Sequence, residues 1–314
     1  MSSFKAGLAV LPSADPARDL ETIQELDEIG VQTVWQTAGG TKGDPVTLYA
    51  AAAATTTRIR LGTSIVPTYP RHPSALASQA LVVESLAPGR LRLGIGPSHR
   101  PTIEGMLGIP MGKPLAHLRE YVTVLRALLW EGRADFHGEY LNVTLGLQHG
   151  TVPPRTEIPI SALSANAYRL AGEIADGAIS WVAPIPYLVA TALPAIAEGA
   201  AKANRPAPPL IAHVPVAVTS DRAAAVEATA REFAVYGELP FYAKMFASAG
   251  FPVDAHGNAP REAIDSLAVS GTPDQIRARL EAILAEGVGE VLVTHVVIDD
   301  AAAERRELAG ILAR

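Results

Sequence analysis

The feature of this chain that most constrains its fold is a repeated order of elements. Short apolar runs alternate with longer stretches whose apolar residues recur at helical spacing, and the alternation continues through all 314 residues. Eight runs are predicted as strands: Phe4–Leu11, Val31–Gln36, Ile59–Val66, Arg90–Gly96, Pro159–Leu163, Ala178–Val182, Leu210–Thr219 and Gly289–Val297. Because a doubly wound sheet usually stops at about five or six such units, the pattern predicts an α/β fold of the (β/α)8 or TIM barrel type.

Helix starts are marked along the chain, several of them by proline at the first helical position, where its missing N–H costs no hydrogen bond. The predicted starts are Asp15-Pro16, Asp44-Pro45, His72-Pro73, Lys113-Pro114 and, after the seventh strand, a helix capped by Asp221. One domain over residues 1–314 accounts for all of these elements. Three segments outside the repeat, at about 97–112, 133–157 and 236–270, are predicted as insertions. The first two are long and irregular enough to cover the face of the barrel that carries the reactive groups.

The composition excludes several classes of protein. The chain has no cysteine, which rules out disulfide scaffolds, thiolate metal sites and cysteine nucleophiles. Its formal charge is -6 without a basic cluster, so we expect no nucleic-acid partner, and its eight histidines lack ligand spacing, so we expect no metal. No apolar stretch reaches the ~20 residues of a membrane helix, and the apolar run at the start is too short for a signal peptide. We therefore expect a cytoplasmic protein without a membrane partner.

In a (β/α)8 barrel the reactive groups stand at the C-terminal ends of the strands. This rule nominates Gln36, Thr37, Ser64, Ile65, Gly96, Pro97, Ser98, His99, Ser164, Ala165, Asn166, Trp181 and His295. The segment Ala162–Asn166 runs from strand to helix through small residues, which lets backbone N–H groups approach an anion such as a phosphate. A plain turn with an N-cap at Ser164 or Asn166 explains the same residues.

Familiar nucleotide and hydrolase motifs are missing from the sequence. Gly94–His99 has two of the three glycines of a dinucleotide fingerprint, and Gly108–Pro114 is too short for a P-loop and lacks its Ser or Thr. Neither a G-x-S-x-G elbow nor an H-E-x-x-H pair occurs. These motifs therefore give no support to Rossmann-type binding, a nucleophilic serine or metal chemistry.

A larger set of residues, spread over almost the whole chain, resembles a known family. The matching residues, in chain order, are Ile59–Thr63, Arg71–Pro73, Gly89–His99, Glu104–Met106, Lys113-Pro114, Arg119–Tyr121, Leu170–Gly172, Ala175–Ala178 and Ser270–Pro273. They resemble the luciferase-like monooxygenase superfamily, in its coenzyme F420-dependent branch. The resemblance implies a bacterial luciferase-like (β/α)8 barrel that binds coenzyme F420, or alternatively FMN, and a homodimer formed through the helices Pro45–Thr55 and Pro73–Leu86.

The resemblance also implies where the cofactor ring and its phosphate lie. A cis peptide between Ser64 and Ile65 is expected to form a bulge against the ring, and Gly7 is expected to permit close approach beneath it. The other expected cofactor contacts are Gly96, Pro97 and Ser98 at the ring, Ser164, Ala165 and Asn166 at the phosphate, and Gln36, Thr63, Leu163 and Trp181 around them. Trp181 also has a plainer interpretation as a packing residue at the barrel rim.

Departures from the family pattern bear on the reaction. The alcohol and sugar-phosphate dehydrogenases of this branch carry an acidic residue and a His after the second strand, where this chain has Gln36–Gly40 and no base. His99 stands where those dehydrogenases have Glu. The departures favour hydride transfer to a C=C or C=N bond of a small-molecule substrate, with His99 either as the acid that protonates the product or as a hydrogen-bond partner of the cofactor. Glu104 either orients His99 or the substrate, or is a solvated loop carboxylate.

Other roles and functions stay open at this point. Arg71 and Arg100 either meet the acidic tail of the deazaflavin or are ordinary surface residues. The aromatic residues of the third insertion form either a lid or helix core; they are Tyr236, Phe241, Tyr242 and Phe246. An FMN-dependent monooxygenase, a non-catalytic flavin-binding protein and an unrelated phosphate-binding barrel isomerase are the alternative functions. The isomerase would need a phosphate loop after the seventh strand, where Thr219–Asp221 has no glycine.

Overall fold

Parallel strands hydrogen-bond in a closed ring in the computed structural model, which describes residues 4–38, 42–148 and 155–313. All strands but β7 and β8 belong to this parallel sheet. The strands of the described residues are Ala6–Ala9 (β1), Thr33–Gln36 (β2), Arg60–Thr63 (β3), Val66–Pro67 (β4), Leu91–Arg92 (β5), Ile95–Gly96 (β6), Arg133–His137 (β7), Asn142–Gly146 (β8), Pro159–Ser161 (β9), Gly177–Ser180 (β10), Leu210–Ala217 (β11), Val269–Ser270 (β12) and Glu290–His295 (β13). Strand β13 pairs with β1, which closes the ring. The predicted (β/α)8 barrel is confirmed.

The third and fourth barrel strands are each interrupted by two residues. The third consists of β3 and β4 and the fourth of β5 and β6, so that β3 pairs with β5 and β4 with β6. The backbones of the third and fourth barrel strands approach closely at Gly94, where a Cβ atom would lie 1.9 Å from the Thr63 carbonyl oxygen. The interruption of the fourth strand therefore requires glycine at position 94, and both interruptions fall near the C-terminal end of the barrel.

Helices pack outside the ring. They are Pro16–Ile29 (α1), Pro45–Thr55 (α2), Pro73–Leu86 (α3), Pro114–Glu131 (α4), Ala165–Ile174 (α5), Ile185–Tyr187 (α6), Leu193–Lys202 (α7), Arg222–Phe233 (α8), Pro240–Ser248 (α9), Arg261–Leu267 (α10), Pro273–Ala285 (α11) and Ala301–Ala313 (α12). Asp15 and Asp44 cap α1 and α2 through their carboxylates, in agreement with the predicted starts. None of the helices among the described residues is long and apolar enough to cross a bilayer.

Side chains fill the barrel, and an ion cluster closes its N-terminal end. Trp35 lies in the interior with Ile179, Ile211 and Leu292. Below it, the buried Arg92 donates from its Nη1 to both carboxylate oxygens of Glu290, at 2.7 and 2.6 Å. The candidate site therefore has to be sought at the opposite, C-terminal end.

The insertion after β11 is larger than the sequence predicts. Helix α8, expected to be the outer helix of the seventh repeat, belongs to an excursion that continues through α9 and α10 and returns at β12. Strand β12 pairs with the end of β11 through Val216 and Val269, and α11 is the outer helix instead. Since the excursion begins and ends at the C-terminal end of β11, it lies on the C-terminal side of the barrel.

The second insertion, at 133–157, is less irregular than the sequence predicts. Strands β7 and β8 form an antiparallel hairpin, whose turn residues Glu139, Tyr140 and Leu141 donate backbone hydrogen bonds to the Glu120 carboxylate on α4. Its end does not cover the C-terminal face, because Glu157 bonds Arg60 and Arg92 beside the ion cluster. Residues 149–154 of this insertion lie outside the described part of the chain. In the first insertion, residues Pro101–Met106 form a π-helical turn.

Candidate active site

Unusual backbone conformations are concentrated at the C-terminal ends of three barrel strands. The peptide bond between Ser64 and Ile65 is cis, as the resemblance implies. Ser98 after β6 has a φ of 61° and Val182 after β10 has a φ of 51°, in the left-handed region that residues other than glycine rarely adopt. Left-handed residues of this kind cost on the order of 1–3 kcal/mol each and cluster at ligand and catalytic sites. They place the candidate site at this end of the barrel.

Buried polar side chains at the same end lack hydrogen-bond partners within the described part of the chain. The unpartnered atoms are both amide atoms of Gln36, the hydroxyls of Ser64, Thr68, Tyr168 and Ser180, and Nδ1 of His99. Leaving one such group unsatisfied costs about 1–3 kcal/mol, so a cluster of them is expected where a ligand supplies the missing bonds.

Gly7 lies against the indole of Trp35 in the barrel interior. A Cβ atom at Gly7 would lie 2.5 Å from Nε1 of Trp35, and one at Gly62 would lie 2.4 Å from Cε3 of the same indole. The missing side chains therefore make room for Trp35 inside the barrel, and the expected contact of Gly7 with the cofactor stays a prediction. The sequence shows a glycine in a strand, but not which bulky neighbour occupies the space.

Three other predicted contacts are engaged within the barrel wall. The Thr63 hydroxyl donates to the Gly94 carbonyl oxygen at 2.7 Å, and the Leu163 carbonyl oxygen accepts from the Tyr187 hydroxyl at 2.9 Å. Gly96 lies between Ile65 and Ser161, because a Cβ there would be 2.1 Å from the Ser161 hydroxyl. These residues shape the mouth of the barrel. Pro97 and Ser98 follow directly and are half-buried.

Trp181 is held in place by a buried histidine that the sequence analysis missed. Its indole stacks on His213, with ring centroids 3.8 Å apart. His213 Nδ1 accepts from the Val182 backbone N–H at 3.1 Å, and its Nε2 lies 2.9 Å from the Thr294 hydroxyl. Burial lowers the pKa of His213 to about 3, so the ring is neutral and Nε2 carries the proton. The sequence marks His213 only as a single polar residue in the otherwise apolar run of β11.

His99 faces the candidate site as a largely buried imidazole. Its ring lies 5.6 Å from that of Tyr242, and its Nδ1 has no partner among the described residues. Burial lowers the pKa of His99 below its usual value, so the ring is mainly uncharged at neutral pH. Of the two expected roles, a neutral hydrogen-bonding group agrees better with this environment than a general acid does.

Glu104, expected near His99 or the substrate, is engaged elsewhere. Its Oε1 accepts from the Arg100 guanidinium and, at 3.0 Å, from the backbone N–H of Met111. Arg100 and Glu104 are four residues apart, a spacing that brings two side chains to one helical face. The bond to Met111 joins the π-helical turn to the following loop. Arg71 is likewise paired, with Asp44, so neither arginine is a free partner for an acidic cofactor tail.

The N-terminus of α5 has the features of an anion site. Ser164 is its N-cap and accepts from the Ala167 backbone N–H at 3.3 Å. The first intrahelical bond runs from Tyr168 to Ser164, so the N–H groups of Ala165 and Asn166 precede it and point outward from the helix end. The N-cap bond uses the Ser164 hydroxyl and the Ala167 N–H, so the N–H groups of Ala165 and Asn166 stay available for the predicted phosphate.

Two of the four aromatic residues singled out in the third insertion are buried in the core. Tyr242 and Phe246 are 3 % and 0 % exposed and belong to the core, whereas Phe241 is 38 % exposed. Tyr236 packs edge-on against Tyr242, with ring centroids 4.8 Å apart. The chain of rings from His99 through Tyr242 and Tyr236 reaches the residues around Trp181, and it forms one wall of the candidate site.

The site is described only in part at β2. The segment Gln36–Gly40, which the sequence analysis finds without a base, is described as far as Ala38, and residues 39–41 lie outside the described part of the chain. Gln36 is 1 % exposed at the end of the strand. An amide therefore occupies the position nearest to the barrel mouth on this strand.

Comparison with known proteins identifies the class. The family model described as luciferase-like monooxygenase matches residues 1–290, so the chain belongs to this family. An uncharacterized protein of Mycobacterium tuberculosis strain ATCC 25618 / H37Rv is 32% identical over 222 residues, which span 66% of this chain and 65% of that protein. The match thus covers somewhat less than two thirds of that relative.

Two further proteins are similar over more of their length. The F420-dependent glucose-6-phosphate dehydrogenase of Beutenbergia cavernae is 32% identical over 287 residues, 86% of this chain and 81% of the relative. The structure of the coenzyme F420-dependent tetrahydromethanopterin reductase from Methanopyrus kandleri has a TM-score of 0.79 at 21% identity, covering 99% of this chain and 97% of that one. This structure shares the fold.

Proposed function

We propose that this protein is a coenzyme F420-dependent oxidoreductase that reduces a C=C or C=N bond of a small organic molecule. The observation that carries the proposal is the group of buried, unpartnered polar atoms at the barrel mouth, above all those of Gln36, Ser64 and Ser180. The three residues stand at or directly after the C-terminal ends of barrel strands, where a ring with polar edges would satisfy them.

The relatives support the choice of cofactor. The Beutenbergia cavernae protein is named as F420-dependent, and so is the Methanopyrus kandleri protein that shares the fold. One of these names describes a dehydrogenase and the other a reductase. The direction of the reaction in this chain therefore has to be argued from its own residues.

The end of β2 favours reduction. Oxidation of an alcohol needs a base that takes the hydroxyl proton, whereas the described residues here, Gln36 to Ala38, offer an amide, a hydroxyl and a methyl group. Reduction of a double bond needs no such base. A neutral His99 also fits, since it can hold a polar group of the substrate by a hydrogen bond without carrying charge.

The residues present fit the proposed cofactor. Gln36 and Ser64 would bond the polar edge of the ring, Trp181 would bound its pocket, and the N-terminus of α5 would hold the phosphate through backbone N–H groups and the positive end of the helix. When bound in its reduced form, the deazaflavin supplies a hydride. The protein orients the substrate and excludes water from the mouth of the barrel.

We infer in addition that two copies of this chain associate through α2 and α3. On α3, Val82 and Leu86 are 51% and 48% exposed, and they lie four residues apart on one helical face. Exposed apolar side chains arranged in this way are typical of an interface. Analytical ultracentrifugation of the wild type and of Val82→Glu should give a dimer and a monomer, respectively.

Single-turnover kinetics test the proposed reaction. The protein loaded with reduced F420 is mixed with a panel of enones and cyclic imines, and the protein loaded with oxidised F420 is mixed with secondary alcohols and sugar phosphates. We expect oxidation of the reduced cofactor by members of the first panel and no reaction with the second. Reaction with the alcohols alone would contradict the proposed direction.

A further inference from the structure

A cavity of about 630 Å³ opens at the C-terminal ends of β1 and β13 and is bounded by α1 and α12. Its outer part is lined by the exposed apolar residues Leu11 and Val297, and its inner part reaches Ala9 and Thr294. Ala9 packs in the interior cluster of the barrel, and the Thr294 hydroxyl bonds the histidine on which Trp181 stacks. The cavity therefore adjoins the barrel mouth, and its volume suits a small-molecule ligand.

Glu232, near the end of α8, lines this cavity. Its side chain is half-buried, and no hydrogen bond or ion pair reaches its carboxyl group from the described residues. Burial raises the pKa of Glu232, because a low-dielectric surrounding disfavours the charged carboxylate. A carboxyl group in such a place keeps its proton to a higher pH than one in water.

The surroundings of Glu232 link it to the candidate site. The next residue, Phe233, packs edge-on against His213 with ring centroids 5.3 Å apart. Burial raises the pKa of Tyr236, the Trp181 indole lowers it in part, and the charge of Glu232 raises it further. Glu232 is therefore within electrostatic reach of the residues that surround Trp181.

We propose that this cavity is the substrate subsite and that Glu232 exchanges a proton with the substrate there. The inference rests on the proposed function and deepens it. A reduced deazaflavin, when bound, would supply the hydride that one carbon of the C=C or C=N bond takes up, and the Glu232 carboxyl group would give its proton to the other atom of that bond. Both electrons of the new C–H bond come with the hydride, and the carboxylate regains a proton from solvent. The substrate has an apolar body, which lies against Leu11 and Val297.

The other titratable and charged groups around the cavity are Asp15, Arg18 and Asp19 from the start of α1, His295 from β13, Arg305 from α12, and Tyr236 beyond Glu232. The two aspartates accept backbone hydrogen bonds, from Ala17 and Arg18 in one case and from Ser13 in the other. His295 Nε2 lies 2.9 Å from a carboxylate oxygen of Glu304. Among the described residues that line this cavity, Glu232 is thus the carboxyl group without a partner.

Two measurements on the F420-loaded protein test the inference. The matched control is Glu227, an exposed residue of the same helix whose Oε1 lies 4.0 Å from Nη1 of Arg231. The first measurement is an infrared pH titration, in which the difference between the wild type and Glu232→Gln isolates the carboxylic-acid band of Glu232. The second is the rate of hydride transfer to the enone and imine panel for the wild type, Glu232→Gln, Glu232→Asp and Glu227→Gln.

We expect the acid band of Glu232 to persist to higher pH than that of Glu227. Glu232→Gln should slow hydride-coupled reduction by on the order of 10²–10⁴ with F420 affinity unchanged, Glu232→Asp should retain part of the rate, and Glu227→Gln should retain all of it. A Glu232 band that titrates like that of Glu227, or a wild-type rate in Glu232→Gln, would overturn the inference. If the wild type binds F420 but reduces nothing, the proposed function fails, and the infrared titration decides the protonation of Glu232 independently.

Discussion

His213 shows how a single polar residue can be fixed inside an apolar strand. Both of its ring nitrogens are hydrogen-bonded, to Val182 and to Thr294, and its face supports Trp181. These contacts require the neutral ring, since a protonated Nδ1 could not accept from the Val182 N–H. The orientation of Trp181 and the left-handed backbone at Val182 therefore depend on an uncharged histidine.

Stability should consequently fall in acid. The pKa of His213 is about 3 in the folded protein and about 6.5 in the unfolded chain. Between these values the unfolded chain binds the additional proton, so the contribution of His213 is complete above about pH 6.5 and decreases as the pH falls towards 3. At pH 4 the loss amounts to roughly 3 kcal/mol. Urea unfolding of the wild type at a series of pH values measures it.

The variant His213→Asn should be less stable than the wild type at neutral pH, but its stability should change less between pH 6.5 and pH 4. His256→Asn, at an exposed position, serves as the control and should retain the wild-type dependence. An unchanged acid dependence in His213→Asn would show that other groups cause it.

His99 gives a second prediction for a single residue. If its neutral imidazole only hydrogen-bonds the substrate or cofactor, His99→Gln should keep turnover within about tenfold, because an amide can replace such a bond. If His99 were the general acid, the loss would be on the order of 10²–10⁴. Turnover with the best member of the enone and imine panel distinguishes these results, and a loss in the second range would contradict the assignment.

At the scale of elements, the N-terminus of α5 gives a test of the phosphate position. Ser164→Glu places a negative charge beside the N–H groups of Ala165 and Asn166, so we expect it to abolish F420 binding by repulsion. Thr272→Glu changes the N-cap of α11 in the same way and should leave binding intact. Fluorescence titration of both variants measures the affinity, and unchanged binding in Ser164→Glu would place the phosphate elsewhere.

The sequence predicts elements well where local chemistry determines them. The helix starts at Pro16, Pro45, Pro73 and Pro114 follow from an N-cap position and a proline, which act within one turn. By contrast, the sequence predicts α8 as a helix of the barrel ring, because a helix after a strand has the same local pattern inside a repeat and inside an insertion. Only the pairing of β12 with β11 separates the two cases, and that contact joins residues about fifty positions apart.

The expected site residues show the same division. The cis peptide at Ser64 and the capped helix at Ser164 could be foreseen, the first from the family resemblance and the second from small residues at a strand–helix junction. The use of Gly7, the pairing of Glu104 with Arg100 and the position of His213 could not. Each of these depends on a neighbour that the fold brings near.

At the scale of the whole molecule, the ion cluster at the N-terminal end stabilises the closed barrel. Arg92 is 3% exposed and joins β5 to Glu290 on β13 across the interior. Glu290→Gln leaves much of this charge without compensation, and we expect it to cost about 3–5 kcal/mol. Glu157→Gln should cost less, since Glu157 has a side-chain exposure of 40%. Thermal unfolding ranks the two variants.

The double variant Arg92→Met with Glu290→Leu completes this test. Replacing both charges with apolar groups removes the need to bury either of them, so the double variant should be more stable than Glu290→Gln alone. A double variant less stable than the single one would show that the pair itself, rather than the avoidance of an unpaired charge, stabilises the barrel.

Parallel fluorescence titrations of the protein with oxidised F420 and with FMN, at the same ionic strength, test the use of coenzyme F420 by this chain. We expect tight binding of the deazaflavin, weak binding of FMN, and loss of deazaflavin binding in Ser164→Glu. A preference for FMN would contradict the use of F420 and would favour the monooxygenase chemistry for which the family is named, and failure of the folded protein to bind either cofactor would contradict both.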